Sequence, residues 1–85
     1  MPFIEFIWDL DEDHNGNVQH IAEHGLSKED VEYVVCNPVK GGISRSSRRP
    51  MAFGYTPSGS YIGVVYEVVE QDVVYPVTAF ELEED

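Results

Sequence analysis

Cations are scarce in this chain, and most of them are clustered. Lys40, Arg45, Arg48 and Arg49 lie within ten residues, and Lys28 is the only other Lys or Arg. Guanidinium groups bind phosphates and carboxylates through paired N–H donors. The cluster is therefore a candidate anion site, with Lys40, Arg45 and Arg48 as residues that bind a substrate or an acidic partner. Alternatively, its arginines pair with acids of the same chain, which has sixteen Asp and Glu residues.

Two histidines also have a spacing that could support chemistry. His20 and His24 lie four residues apart, so on a helix they share one face and could share a metal ion. No His-Glu-x-x-His pattern or second ligand motif accompanies them, and we predict no metal and no cofactor. His24 suits a helix C-terminus, where a protonated imidazole interacts favourably with the helix dipole. Histidine is also the side chain that most often serves as a general acid or base.

The overall charge of −11 is the most unusual bulk property of the chain. A surface this acidic repels nucleic-acid backbones and anionic lipid, which disfavours RNA binding without excluding a local basic site. The aromatic share of 12% argues against disorder. Eighty-five residues make one domain, which we assign to residues 1–85.

Cysteine and hydropathy patterns indicate a cytoplasmic protein. Cys36 is the only cysteine, so no internal disulfide forms, and we expect it to be a small buried residue on a helix. The N-terminus lacks the basic and apolar regions of a signal peptide. No segment approaches the roughly 20 apolar residues that span a bilayer, so no membrane association is expected.

The first half of the chain reads as one strand and two helices. A strand is predicted over 3–8 and a loop over 9–16, followed by a helix that Asn17 caps and Gly25 ends. Its buried face would carry Val18, Ile21 and Ala22. In a second helix, Ser27 and Asp30 form a capping box, Leu26 and Val31 a hydrophobic staple, and Val31, Val34 and Val35 the buried stripe. Asn37-Pro38 ends this helix.

The second half reads as strands joined by turns. Residues 40–50 are mostly an exposed loop, with a short strand around 42–45; strands follow at 51–56, 61–69 and 73–82. Turns are predicted at 56–59 and at Gln71-Asp72, and residues 83–85 form an acidic tail. The apolar strand 61–69 should be central, while Pro76 implies an edge position or a bulge. The predicted fold is α+β: an N-terminal strand and two helices packed on an antiparallel sheet of three to four further strands.

Three stretches in this order resemble the BrnT family, the toxin half of a bacterial toxin–antitoxin pair. They are Trp8-Asp9 with the later His24-Gly25-Leu26-Ser27, the helix of residues 31–38, and the segment from Arg49 to Ala79. The resemblance implies a RelE-like fold, metal-independent endoribonuclease activity and a cognate antitoxin as partner. It gives Arg49 a catalytic role, with His24 and Tyr66 as the other catalytic candidates.

Several positions depart from the pattern of that family. Glu23 stands where the family usually has a cation, and Phe80 to Glu83 replace a basic continuation of the last strand. A metal-independent ribonuclease uses cations to hold the scissile phosphate and to offset charge in the transition state. Two functions therefore stay open: an endoribonuclease of toxin type, or a non-catalytic protein-interaction module of the same fold. Homo-oligomers are compatible with either function.

Overall fold

A computed structural model describes residues 4–83, and these form two helices and five strands. The elements in chain order are β1 (Glu5–Phe6), α1 (Asn17–Glu23), α2 (Lys28–Cys36), β2 (Lys40–Ile43), β3 (Pro50–Tyr55), β4 (Tyr61–Glu70) and β5 (Val73–Glu81). The predicted α+β class is confirmed. Phe3 of the predicted first strand and residues 84–85 of the predicted tail lie outside the described residues. No helix in the described part is long and apolar enough to cross a membrane.

The five strands form one mixed sheet in the order β1-β5-β4-β3-β2. The four strands that follow the helices are antiparallel neighbours, as predicted, whereas β1 pairs with β5 in parallel. The sheet thus has five strands rather than three or four, because the N-terminal strand joins it. Strand β4 is central, in agreement with its apolar sequence.

Both helices pack on one face of this sheet. Ile21 of α1 and Val31 and Val34 of α2 form one buried cluster with sheet residues that include Val64 and Ala79. Helix α1 lies beside β5, and α2 lies across β3 and β4. Burial of these aliphatic side chains stabilises the domain by about 1.5–3 kcal/mol for each fully buried side chain.

Helix α1 begins at Asn17, one residue earlier than predicted. Gly16 is the N-cap, and Asn17 is the first helical residue and is 3% exposed. The prediction of Asn17 as the cap was wrong because its side chain turns inward and binds other segments. Ala22 is exposed, contrary to prediction, whereas Ile21 is buried. Gly25 follows the helix with φ +78°, the left-handed conformation predicted for it.

Helix α2 has the predicted capping box. Asp30 donates its backbone N–H to Ser27 Oγ at 3.2 Å, and Ser27 donates its own to Asp30 Oδ2 at 3.1 Å. Cys36 is exposed, so its predicted burial was wrong. Cys36 follows the buried Val34 by two residues. Two residues correspond to a rotation of about 200° around the helix axis, which places Cys36 on the side away from the core.

Strands β1 and β2 differ from prediction. Of the described residues in the predicted strand 3–8, only Glu5–Phe6 are in β1. Strand β2 lies at 40–43 rather than 42–45, because residues 44–49 form the hairpin loop to β3. Strand β1 pairs with β5 only at Val73 and Val74, so Pro76 has a strand partner on one side only, Tyr66 of β4. A register shift opposite Val65 and Tyr66 also places a bulge there, so both predicted alternatives describe Pro76. The turns at 56–59 and at Gln71-Asp72 are present as predicted.

Candidate functional site

The two faces of the sheet differ in what covers them. Ala52, Val64 and Ala79 are register neighbours on the face that the helices cover. Met51, Val65 and Thr78 are neighbours on the opposite face, which we call the open face. That face also carries apolar and aromatic side chains on its other rows: Phe53, Tyr55, Tyr61 and Phe80. Helix α1 reaches it only at its edge beside β5.

A cavity of about 470 Å³ lies on the open face. Val65, Thr78 and Phe80 form part of its floor, and the β2–β3 loop forms a wall with Arg45 and Arg49. Ser44, Ser46, Ser47, Ile43, Met51 and Val77 complete the lining. The cavity therefore combines an apolar floor with guanidinium and hydroxyl donors, a combination that binds a mixed apolar and anionic ligand.

The hairpin loop of residues 44–49 is what places the cations there. Ser44 donates its backbone N–H to Arg49 O, and Arg48 donates its own to Ser44 O, both at 2.8 Å. Arg48 adopts φ +59°, a left-handed conformation that a non-glycine residue enters at a cost of roughly 1–3 kcal/mol. Arg45 and Arg49 face the cavity, whereas Arg48 is exposed and does not line it.

The charge of Arg49 is partly offset within the chain. Its Nε lies 3.3 Å from Glu67 Oε1, which makes an ion pair. The same Nε is buried and has no partner with hydrogen-bond geometry in the described residues. The distance between Nε and Oε1 is short enough for an ion pair, but the geometry does not make a hydrogen bond. The interaction between Arg49 and Glu67 is therefore electrostatic. Arg49 is thus both an intramolecular partner and a cavity residue. Pairing with an acid of the same chain is present at Arg49, and anion binding by the cluster stays a prediction.

A second cavity of about 320 Å³ adjoins the first along β5. It is lined by His20 and Asn15 on one side and Tyr75 on the other, and it shares Val77 and Thr78 with the first cavity. The bulge at Pro76 and Val77 is what gives β5 two residues opposite Tyr66, and so brings Val77 to both cavities. His20, rather than His24, is the histidine beside the open face. No residue pattern in the sequence distinguishes the two histidines in this respect.

The side chain of Asn17, beside this second cavity, forms hydrogen bonds that link α1 to β5 and to the segment after β1. Its side-chain NH₂ donates to Pro76 O at 2.8 Å and to Ile7 O at 3.1 Å, and its Oδ1 accepts from the Asp9 backbone at 2.9 Å. Polar groups that are buried in a protein almost always have hydrogen-bond partners, and the side-chain amide of Asn17 follows this rule. This network fixes the start of α1 against β5.

Asp9 completes the network from the loop side. Its Oδ2 accepts the Tyr75 hydroxyl at 2.6 Å and the Asn17 backbone N–H at 2.9 Å. These hydrogen bonds, with Tyr75 the larger cause, lower the pKa of Asp9. The same bond, with partial burial and nearby acids, raises the pKa of Tyr75 to about 12. Tyr75 therefore stays a neutral donor across the physiological pH range.

The structure separates the three predicted catalytic residues. Arg49 faces the open-face cavity, whereas Tyr66 packs against the core cluster on the helix side. His24 is the exposed C-cap of α1, and its ring lies 5.8 Å from that of His20. Of the predicted binding residues, Arg45 lines the cavity, and Lys40 places its Nζ 5.2 Å from the Phe53 ring centre.

His20 and His24 are not joined by a third metal-ligating side chain in the part of the chain that the structure describes. Within residues 4–83, no group of three or more His, Cys, Asp and Glu side chains could hold a metal ion. Trp8 is half-buried against the core, and its Nε1 donates to Glu32 at 2.8 Å. The indole therefore packs against the core and joins the segment after β1 to α2.

Three comparisons, with protein-family models, with curated proteins and with solved structures, found no match to this chain. The resemblance to the BrnT family therefore stays a prediction.

Proposed function

We propose that this chain is a BrnT-like member of a toxin–antitoxin type pair that acts by binding its partner protein through the open face of the sheet. The observation that carries the proposal is the half-exposed apolar face with a cavity of about 470 Å³ and a rim of arginines. Apolar patches bordered by polar groups are typical of protein-binding surfaces. The cytoplasm is the proposed location, and no cofactor is invoked.

The placement of the predicted catalytic residues favours binding over cleavage. Tyr66 lies on the helix side and His24 is exposed away from Arg49, whose charge Glu67 offsets. The net charge of −11 opposes the approach of RNA. It favours a partner with basic regions, such as a small DNA-binding antitoxin.

The test is co-expression of the full chain with the product of the directly downstream gene. Thr78→Arg places a bulky cation in both cavities, and Tyr33→Arg, at an exposed position of α2, is the matched control. We expect a complex with the wild type and with Tyr33→Arg, and its loss with Thr78→Arg. A complex that survives Thr78→Arg, or no complex with the wild type, contradicts the proposal. Circular dichroism checks that each variant is folded.

RNA cleavage is the second candidate, and one observation favours it. Arg45 and Arg49 line a cavity that adjoins the one lined by His20, so cations and a possible general acid or base share one face. In this version His20, rather than His24, acts beside the phosphate. RNA profiling after induced expression of His20→Ala and His24→Ala, compared with wild type, tests the assignment. Cleavage that depends on His20 alone supports it, and the absence of cleavage in wild type removes it.

A further inference from the structure

Strand β2 forms the outer edge of the sheet, and all four of its residues are exposed. Ser44 donates its backbone N–H to Arg49 on β3. Because hydrogen bonding alternates along an antiparallel strand, the backbone groups of Ile43 and Gly41 point away from β3. No strand lies on that side within the described part of the chain. Such an edge is a template for the addition of another strand.

The side chains of β2 leave this backbone accessible. Gly41 and Gly42 occupy its centre and carry no side chain, while Val39, just before the strand, and Ile43, its last residue, are 59% and 66% exposed. Exposed edges are commonly protected by proline, by bulges or by inward charges. In β2 the one charge is Lys40, whose ammonium group lies over the Phe53 ring. The edge is thus open along Gly41 to Ile43.

The charges around β2 determine which kind of segment could pair with it as an additional strand. Lys40 lies at one end and the loop arginines, Arg45 and Arg48, at the other, so four of the five Lys and Arg residues of the chain lie within residues 40–49. Two β2 edges paired with each other would bring these like charges together, which disfavours a second copy of β2 as occupant. A segment that carries carboxylates meets opposite charge at both ends.

We propose that β2 binds an extended, acidic segment of a partner protein by strand addition, with backbone hydrogen bonds to Gly41 and Ile43 and carboxylates beside Lys40, Arg45 and Arg48. Main-chain pairing supplies affinity in this recognition mode, and side chains supply specificity. The inference rests on the proposed protein-binding function and names a second contact, at the sheet edge rather than on the open face.

The probe is a capped synthetic peptide that alternates Val and Glu, and its control alternates Val and Lys. Titration of the full chain, followed by NMR, should shift and protect the amide protons of Gly41 and Ile43 with the Glu peptide only. Gly41→Pro removes an outward N–H donor, and proline is tolerated on an edge strand. A Cβ at Gly41 would lie 3.7 Å from Met51 O, an ordinary contact, so Gly41→Ala is the matched control that keeps the donor.

We expect Gly41→Pro to weaken binding about tenfold and Gly41→Ala to leave it nearly unchanged. Arg48→Gly removes a cation and relieves a left-handed residue, so it should stay folded while it weakens binding roughly two- to five-fold. Equal affinity for both peptides, or equal affinity of Gly41→Pro and Gly41→Ala, overturns the inference. So does sedimentation in which the wild-type chain alone is a dimer and Gly41→Pro is a monomer. Thr78→Arg should bind the Glu peptide like wild type, so failure at the edge and failure at the open face are distinguishable.

Discussion

At the residue scale, two side chains position the groups around the open-face cavities. Asn17 fixes the start of α1 to β5, and Arg49 carries positive charge to the cavity while paired with Glu67. Their sequence signals differ. The Arg49 position could be predicted, because cations cluster there. The role of Asn17 could not, because its partners, Ile7 O and Pro76 O, are backbone atoms far away in the sequence.

Asn17→Ala should lower the free energy of unfolding. The substitution leaves the Pro76 carbonyl without its side-chain donor, and a buried group left unsatisfied costs about 1–3 kcal/mol. Chemical denaturation of the variant measures the change. Asn15→Ala is the control, since Asn15 is exposed and donates to Asp13 through its backbone. Equal losses in the two variants would contradict the account of the network.

The Asp9–Tyr75 hydrogen bond should make stability depend on pH in two windows. The pKa of Asp9 is lowered from 3.8, so its contribution is present above about pH 4 and is lost as pH falls through the folded-state pKa. The pKa of Tyr75 is raised from 10.0 to about 12, so its contribution is present below pH 10 and is lost as pH rises towards 12. Denaturation of wild type and Tyr75→Phe from about pH 6 to about pH 2 tests the acid window. We expect the difference in stability between them to shrink towards acid; a constant difference contradicts the assignment.

At the scale of elements, the sequence pattern predicts a helix end or a turn correctly where residues close together in the sequence determine it. The capping box of α2 and the turns at 56–59 and Gln71-Asp72 could be predicted because capping and turn formation are local. The parallel pairing of β1 with β5 could not, since it joins residues nearly seventy positions apart, such as Glu5 and Val73. Cys36 is exposed because the buried face of α2 is centred on Val31 and Val34. The sequence pattern predicted the direction of this face only approximately.

The candidate site was predictable only in part, for a related reason. Clustering in sequence brought Arg45 and Arg49 to one cavity. The face on which each strand residue lies depends on the bulge in β5 and on the side that the helices cover. Tyr66 therefore lies against the core rather than beside Arg49, and His20 rather than His24 adjoins the open face.

Ser27→Ala should destabilise the chain through α2. Loss of the hydroxyl that accepts the Asp30 N–H costs about 1 kcal/mol at a helix N-cap. Thermal unfolding should show a lower Tm for Ser27→Ala than for Ser27→Thr, which keeps a hydroxyl acceptor. Equal Tm values would show that the capping box contributes little.

At the scale of the whole molecule, the charge of −11 is the dominant property. Like charges on a small domain repel one another and destabilise the folded state, and salt screens this repulsion. The cluster at residues 40–49 is the exception, and it lies at the end of the sheet where both proposed contacts meet. Anionic groups of a partner are therefore expected to bind at residues 40–49, and basic groups of a partner at the acidic remainder of the surface.

Salt should stabilise this protein. Raising NaCl from about 0.01 M to about 0.5 M reduces the Debye length from roughly 30 Å to a few ångströms and screens the repulsion. For each 1 kcal/mol gained, Tm should rise by about 4–8 °C in a domain of this size. Thermal unfolding at several salt concentrations measures the effect. A Tm that falls with salt would mean that attractive ion pairs, such as Lys28–Asp11, outweigh the repulsion.

The most direct test of binding rather than cleavage is RNA profiling after induced expression of the wild-type chain, with Arg49→Ala in parallel. The account predicts no growth arrest and no new RNA 5′ ends in wild type relative to Arg49→Ala. New 5′ ends that appear with wild type and disappear with Arg49→Ala would contradict it and establish the open-face cavity as a ribonuclease site.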